Sequence, residues 1–136
     1  MSGETSNLVL ADDDQTVRNL LTMHAERGGF TVRSGENGAE ALELVTENTD
    51  VVLLDLQMPV LDGFGALERL GREHPGVPAV VLTSVDEAAE AVKAMKLGAL
   101  DYLTKPFDPD ELLAVLRNAK RLRRAELENE QLREAL

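Results

Sequence analysis

The chain has 136 residues, enough for one domain around a single buried core, and 43% of them are apolar, which excludes a disordered segment. A formal net charge of −11 excludes a surface that holds nucleic acid or anionic lipid by itself. Cysteine is absent, which excludes disulfides and thiolate metal sites, and no apolar run approaches the roughly 20 residues of a membrane span.

Short apolar runs alternate with helix-like stretches. Leu8-Val9-Leu10-Ala11 predicts a strand over 7–11, which ends on Asp12, Asp13 and Asp14. A helix over 14–28 places Val17, Leu20 and Leu21 at helical spacing and stops at Gly28-Gly29. A second strand over 30–33 leads to a helix over 38–48. That helix opens on Asn37 as N-cap with Glu40 three residues on, and it buries Ala41, Leu42 and Val45. The third strand, 51–55, is apolar without alternation, as a central parallel strand covered on both faces should be, and it ends at Asp55. A helix over 63–74 follows. The fourth strand, 79–83, ends at Thr83 and Ser84. Its helix, 86–97, carries Ala88, Ala91, Val92 and Met95 and stops at Gly98. The fifth strand, 100–104, delivers Lys105. A helix from 109 onward opens with Asp108-Pro109-Asp110-Glu111, an N-cap carboxylate, a proline in the first turn and acids behind it.

This order predicts an α/β domain: a five-stranded parallel sheet, doubly wound, with helices on both faces. The strands ending at Ala11 and Asp55 should flank its switch point. In such folds the ligand crevice lies beyond the carboxyl ends of the strands, where Asp12, Asp13, Asp55, Thr83 and Lys105 all fall. Carboxylates, a hydroxyl and an ammonium converging there suit a divalent cation and a phosphoryl group.

The last helix meets no glycine or proline and extends to Leu136. From residue 122 a heptad fits, with Leu122, Asn129 and Leu136 at a and Ala125 and Leu132 at d. In a parallel dimer Arg121 would face Glu126 of the other copy, and Glu128 would face Arg133, both attractive. The expected division is a domain over 1–118 and a helical linker over 119–136, a parallel coiled coil leading to an output domain.

Ala11-Asp12-Asp13-Asp14, Leu54-Asp55-Leu56-Gln57-Met58-Pro59 with Asp62-Gly63, Thr83-Ser84 and Lys105-Pro106-Phe107 together resemble the receiver domain of two-component response regulators. The resemblance covers about residues 7–120 and implies a flavodoxin-like fold. It implies that Asp55 accepts a phosphoryl group from a sensor histidine kinase, and that the chain catalyses only its own phosphorylation and dephosphorylation. It implies Mg²⁺ held by Asp13 directly, Asp12 through water, Asp55, and the backbone carbonyl of Gln57. Lys105 would pair with the phosphoryl group across a cis Lys105-Pro106 bond, and Thr83 and Tyr102 would form the switch. The helical extension resembles linkers that precede the AAA+ module of enhancer-binding transcription activators. Expected partners are the kinase and a second copy of the chain, with no nucleic acid touched by this segment and no membrane.

Two features bear on alternatives and location. An apolar strand followed by Asp12-Asp13-Asp14-Gln15-Thr16 also matches the first motif of haloacid-dehalogenase-like phosphatases, with Asp12 as nucleophile and Asp14 as general acid. That reading lacks an acidic pair after a later strand and leaves Asp55 without a role. Met1-Ser2-Gly3-Glu4 lacks the regions of a signal peptide, so the expected location is the cytoplasm.

Overall fold

The computed structural model describes residues 5–135. Strands and helices alternate in the order β1 (Ser6–Ala11), α1 (Gln15–Arg27), β2 (Phe30–Gly35), α2 (Gly38–Leu44), β3 (Val51–Asp55), α3 (Gly63–Glu73), β4 (Ala79–Ser84), α4 (Ala88–Lys96), β5 (Asp101–Lys105) and α5 (Pro109–Ala135). All strand pairs are parallel, and the sheet order is β2-β1-β3-β4-β5. From β1 the chain steps outward to β2, then returns to lay β3 on the other side of β1. The switch point therefore lies between β1 and β3, as the sequence predicts, in a flavodoxin-like, doubly wound fold.

Successive strand residues point to opposite faces, so the continuous apolar runs feed two cores. Leu8, Leu10, Leu53, Leu82 and Leu103 meet Leu21 and Ala25 of α1 and Leu112 and Leu116 of α5. Val9, Ala11, Val52, Leu54 and Val81 meet Ala41 and Leu42 of α2, Leu67 and Leu70 of α3, and Ala94 of α4.

Three helices depart from expectation. α2 ends at Leu44 rather than 48, because Val45 turns extended and side chains capture the backbone beyond it. Thr46 N–H donates to Thr49 Oγ1 at 2.9 Å and Asn48 N–H to Thr46 Oγ1 at 3.2 Å, local bonds that compete with a helix. On α1, Leu21 and Ala25 are buried one turn apart, whereas Leu20, about 100° around the axis, is 42% exposed. On α4 only Ala91 and Ala94 are buried, while Val92 and Met95 face outward.

α5 is one unbroken helix. Asp108 opens it, its side chain accepting the Asp110 N–H at 2.8 Å and its carbonyl the Leu112 N–H at 2.9 Å. Packing does not stop at the expected boundary of residue 118. Ala119 and Arg123 are buried, and Arg124 grips Asp50, with Nε to Oδ1 at 2.7 Å and Nη2 to Oδ2 at 2.9 Å. Asp50 sits just before β3, is 2% exposed, and also accepts the Asn7 N–H. Lys120 adds a bond to Ser6 Oγ at 2.6 Å. Arg123 lies over Gly76, where a Cβ would come within 2.8 Å of its Nη1, and the φ of +92° there favours glycine as well. The helix is thus pinned to the amino-terminal edge of the sheet. Leu122, Ala125, Asn129 and Leu132 lie on another side of α5 and are exposed, Leu132 at 60%. Leu136 lies outside the described residues.

Breaking the Arg124 fork would leave the buried Asp50 carboxylate without its bidentate partner. Since Arg124 is itself partly exposed, Arg124→Ala is expected to lose about 1–3 kcal/mol in urea unfolding. Asn129→Ala, on the exposed side, should stay within about 0.5 kcal/mol. Equal midpoints for the two variants would refute the anchor.

Candidate functional site

Every strand of the site ends in a polar side chain at the carboxyl edge. β1 runs into Asp12, which is fully buried and held by its whole surroundings. Its Oδ1 accepts the Asp14 N–H at 2.9 Å, its N–H donates to the Gly35 carbonyl, and its own carbonyl accepts from Arg18 Nη1 at 2.7 Å. β3 ends in Asp55, 6% exposed, whose Oδ1 accepts the Gln57 N–H at 3.3 Å. α3 starts directly behind it: a Cβ on Gly63 would lie 2.6 Å from the Asp55 carbonyl, so only glycine permits this approach. Between them the loop makes a tight turn at Val60, φ 68°, a conformation that β-branched residues rarely adopt.

Asp12, Asp13 and Asp55 each bring a carboxylate oxygen to within 4.8 Å of the others. Asp13 is exposed and the other two are buried. Lys105, at the end of β5, reaches across to both buried carboxylates, with Nζ at 2.9 Å from Asp12 Oδ2 and 3.2 Å from Asp55 Oδ2. The Lys105-Pro106 bond is cis. Burial, then the neighbouring Asp12 charge, raises the Asp55 pKa above the ordinary carboxylate value, against the lowering effect of Lys105. Burial alone would lower the Lys105 pKa, but its bonds and charge pairing with Asp12 and Asp55 outweigh that and raise it. An all-oxygen donor set with excess negative charge fits a hard divalent cation such as Mg²⁺.

Two further predicted residues border this cluster. Thr83 is 3% exposed, and its Oγ1 lies 3.5 Å from the carbonyl oxygens of Ser84 and Glu87. Gln57 is exposed, and its Nε2 donates to Glu90 Oε2 of α4 at 2.7 Å. Tyr102 is on β5 and 44% exposed. Asp14 does not join the site. Its carboxylate accepts the Thr16 and Val17 N–H groups as the N-cap of α1, which leaves the phosphatase reading without its general acid.

Arg18, Glu90 and the Arg124–Asp50 pair are further polar groups that the motifs do not single out. Arg18 follows Asp14 by one helical turn, so its approach to the acidic loop had a local signal. Glu90 is separated from Gln57 by 33 residues and Arg124 from Asp50 by 74, and no periodicity links such pairs.

Comparison with known proteins gives a consistent result. The family described as response regulator receiver domain matches residues 8–117. The chain is 40% identical over 111 residues to the DNA-binding transcriptional regulator NtrC of Escherichia coli K12, covering 81% of this chain and 24% of that protein. It is 39% identical over 123 residues to the transcriptional regulatory protein SrrA of Staphylococcus aureus NCTC 8325, covering 90% and 50%. The chain thus spans a quarter to a half of the length of these relatives. Among solved structures, a putative response regulator from Chloroflexus aurantiacus superposes with TM-score 0.80 at 32% identity, covering 87% of this chain and 99% of that one. NtrX from Brucella abortus in complex with ADP superposes at 0.87 with 26% identity, covering 95% and 30%. The phosphatase alternative finds no support in these matches.

The raised Asp55 pKa has a consequence for stability. Protonated Asp55 favours the folded state, and that contribution is lost as pH rises from the ordinary carboxylate value through the raised one. At neutral pH the ionised side chain therefore destabilises the fold, and Asp55→Asn should unfold at higher urea than wild type. The gap should close as the buffer approaches about pH 4. A variant no more stable than wild type near pH 7 would contradict this account.

Proposed function

The chain belongs to the response regulator receiver family, and from that premise we propose that it is a phosphorylation-dependent switch whose acceptor is Asp55. The observation that carries this reading is the Lys105 ammonium bridging two buried carboxylates at the switch point of the sheet, with a third at the mouth. Phosphoryl transfer needs positioning and charge neutralisation more than covalent assistance, and this cluster offers both. An Asp55 carboxylate oxygen attacks the phosphorus of a phosphohistidine on a sensor kinase. The O–P bond forms, the N–P bond breaks, and the imidazole leaves.

Asp13, Asp12 through water, Asp55 and the Gln57 carbonyl would hold Mg²⁺, which supplies charge neutralisation and orientation of phosphoryl oxygens. Lys105 then exchanges its carboxylate contacts for a phosphoryl oxygen. The added −1.5 to −2 or so charges also attract the Thr83 hydroxyl, and its inward movement opens space beside Tyr102 on β5. That side of the domain is the relay.

The relay's destination follows from α5. The exposed stripe of Leu122, Ala125, Asn129 and Leu132 suits a second copy in a parallel coiled coil, with residues beyond the anchored part of the helix acting as linker. Transcription control in the cytoplasm is the proposed setting, supported by the names of the relatives. Among the described residues no helix is long and apolar enough to cross a membrane.

Acetyl phosphate with Mg²⁺ is expected to add one phosphoryl group to the wild-type chain and none to Asp55→Asn, read by intact-mass spectrometry. Equal labelling of both would sink the assignment. For the dimer, sedimentation of the full chain should show an association constant or shape that changes with beryllofluoride. Replacing Leu122 and Leu132 by serine should abolish association. A wild-type chain that stays monomeric at high concentration with and without beryllofluoride would reduce the stripe to a solvated linker face.

A further inference from the structure

Two side chains near the acceptor, the Thr83 hydroxyl and the Gln57 amide, have partners at the start of α4. The Thr83 hydroxyl lies 3.5 Å from the carbonyl of Glu87, the residue that caps α4. The Gln57 amide donates to the carboxylate of Glu90 at 2.7 Å. A carboxylate only accepts, so Glu90 fixes which end of the amide faces it: the nitrogen turns to α4, and the oxygen turns away. Gln57 is two residues from Asp55, and its backbone N–H already donates to Asp55 Oδ1. Its side-chain amide is thus a donor close to the acceptor and directed elsewhere.

The helix at the other end of this bond is weakly held. α4 has nine residues, only Ala91 and Ala94 are buried, and its N-cap Glu87 makes no side-chain capping bond. A further contact of α4, to the α3 side, is Lys93 Nζ 4.3 Å above the Phe64 ring. Small buried side chains give α4 little apolar area to lose when it shifts. The polar bonds of its first turn therefore weigh more than they would on a leucine-packed helix.

We propose that Glu90 is a positioning residue that holds the Gln57 amide away from Asp55, and that the Gln57–Glu90 bond latches the first turn of α4 until a phosphoryl group draws the amide off. This rests on the receiver reading above and extends it to a residue pair that the acidic cluster does not contain. A phosphoryl group presents several strong acceptor oxygens close to Gln57, so the amide changes partner. Glu90 then loses its donor, and α4 loses its link to the loop that follows the acceptor. Binding of the phosphoryl group and release of the latch are two sides of one equilibrium, so weakening the latch must strengthen the binding.

The test is a calorimetric titration of the full chain with beryllofluoride in the presence of Mg²⁺, on wild type, Glu90→Ala, Gln57→Ala and the double variant. Glu90→Ala is expected to tighten binding about two- to ten-fold, the worth of one partly exposed hydrogen bond. In the Gln57→Ala background the same change should give no gain. Glu90→Gln, which keeps shape and a weaker partner for the amide, should gain in the same direction by less. Without metal or beryllofluoride, Glu90→Ala should also speed hydrogen exchange at the amides of Glu90 and Ala91. An equal gain in both backgrounds would mean that removing a negative charge is the whole effect, and the latch would be wrong. No gain in either, or unchanged exchange, would overturn it too. If wild type itself does not bind beryllofluoride with Mg²⁺, the receiver reading falls and the latch falls with it.

Discussion

Repulsion among carboxylates at one edge of the sheet is the constraint around which the molecule is arranged. Asp12 and Asp55 are both buried, and Lys105 is the cation that contacts both. β5 lies two strands from β3 and three from β1. At about 4.8 Å per strand, roughly 10 to 14 Å separate the backbones that these groups extend from. A long side chain leaving the end of an outer strand can close that distance; a short one cannot. The Ser84–Lys105 register and the sheet order are therefore as necessary to the pair as the lysine itself. The compensation is incomplete, since Asp55 still holds its proton more tightly than an ordinary carboxylate. A site left short of positive charge is one that gains from a divalent cation.

The two edges of the sheet have opposite roles. The carboxyl edge carries groups whose partners can be exchanged. The amino edge carries the Arg124–Asp50 fork, the Lys120–Ser6 bond and the buried Arg123, which fix α5 in place. α5 joins them. It starts three residues after Pro106 and reaches Arg124 about 24 Å later at 1.5 Å per residue. Any change in how the β5–α5 turn sits is therefore resisted at the far end rather than dissipated in a loose linker.

Local chemistry was legible in the sequence and long-range chemistry was not. The strand ends at Ala11, Asp55 and Lys105, the caps at Asn37 and Asp108, and the resulting cluster of Asp12, Asp13, Asp55 and Lys105 follow from apolar runs and the residues that stop them. α2 ends sooner than its apolar pattern suggests because threonine side chains, not helix propensity, decide residues 45–49. Leu20, Val92 and Met95 face outward, and an apolar residue at helical spacing does not say which of two adjacent positions the sheet will cover. Ala119, Arg123 and Arg124 pack beyond residue 118, and a polar-looking helix gives no sign that a buried aspartate 74 positions earlier pairs with one of its arginines. The Gln57–Glu90 bond was hidden for the same reason.

The anchored stretch of α5 also changes what kind of object the following residues are. A free peptide of eleven or so residues would not stay helical in water, because forming the first turn is unfavourable and short helices cannot recover that cost. Here the first turns already exist, fixed by Leu112, Leu116, Ala119 and Arg124, so residues 125–135 only extend a helix whose phase is set. Each added residue inherits a direction about the axis from the domain below it. The tail is therefore a ruler rather than a tether. Inserting a single residue after Arg124 would rotate everything beyond it by about 100°, while inserting seven would return it nearly to phase.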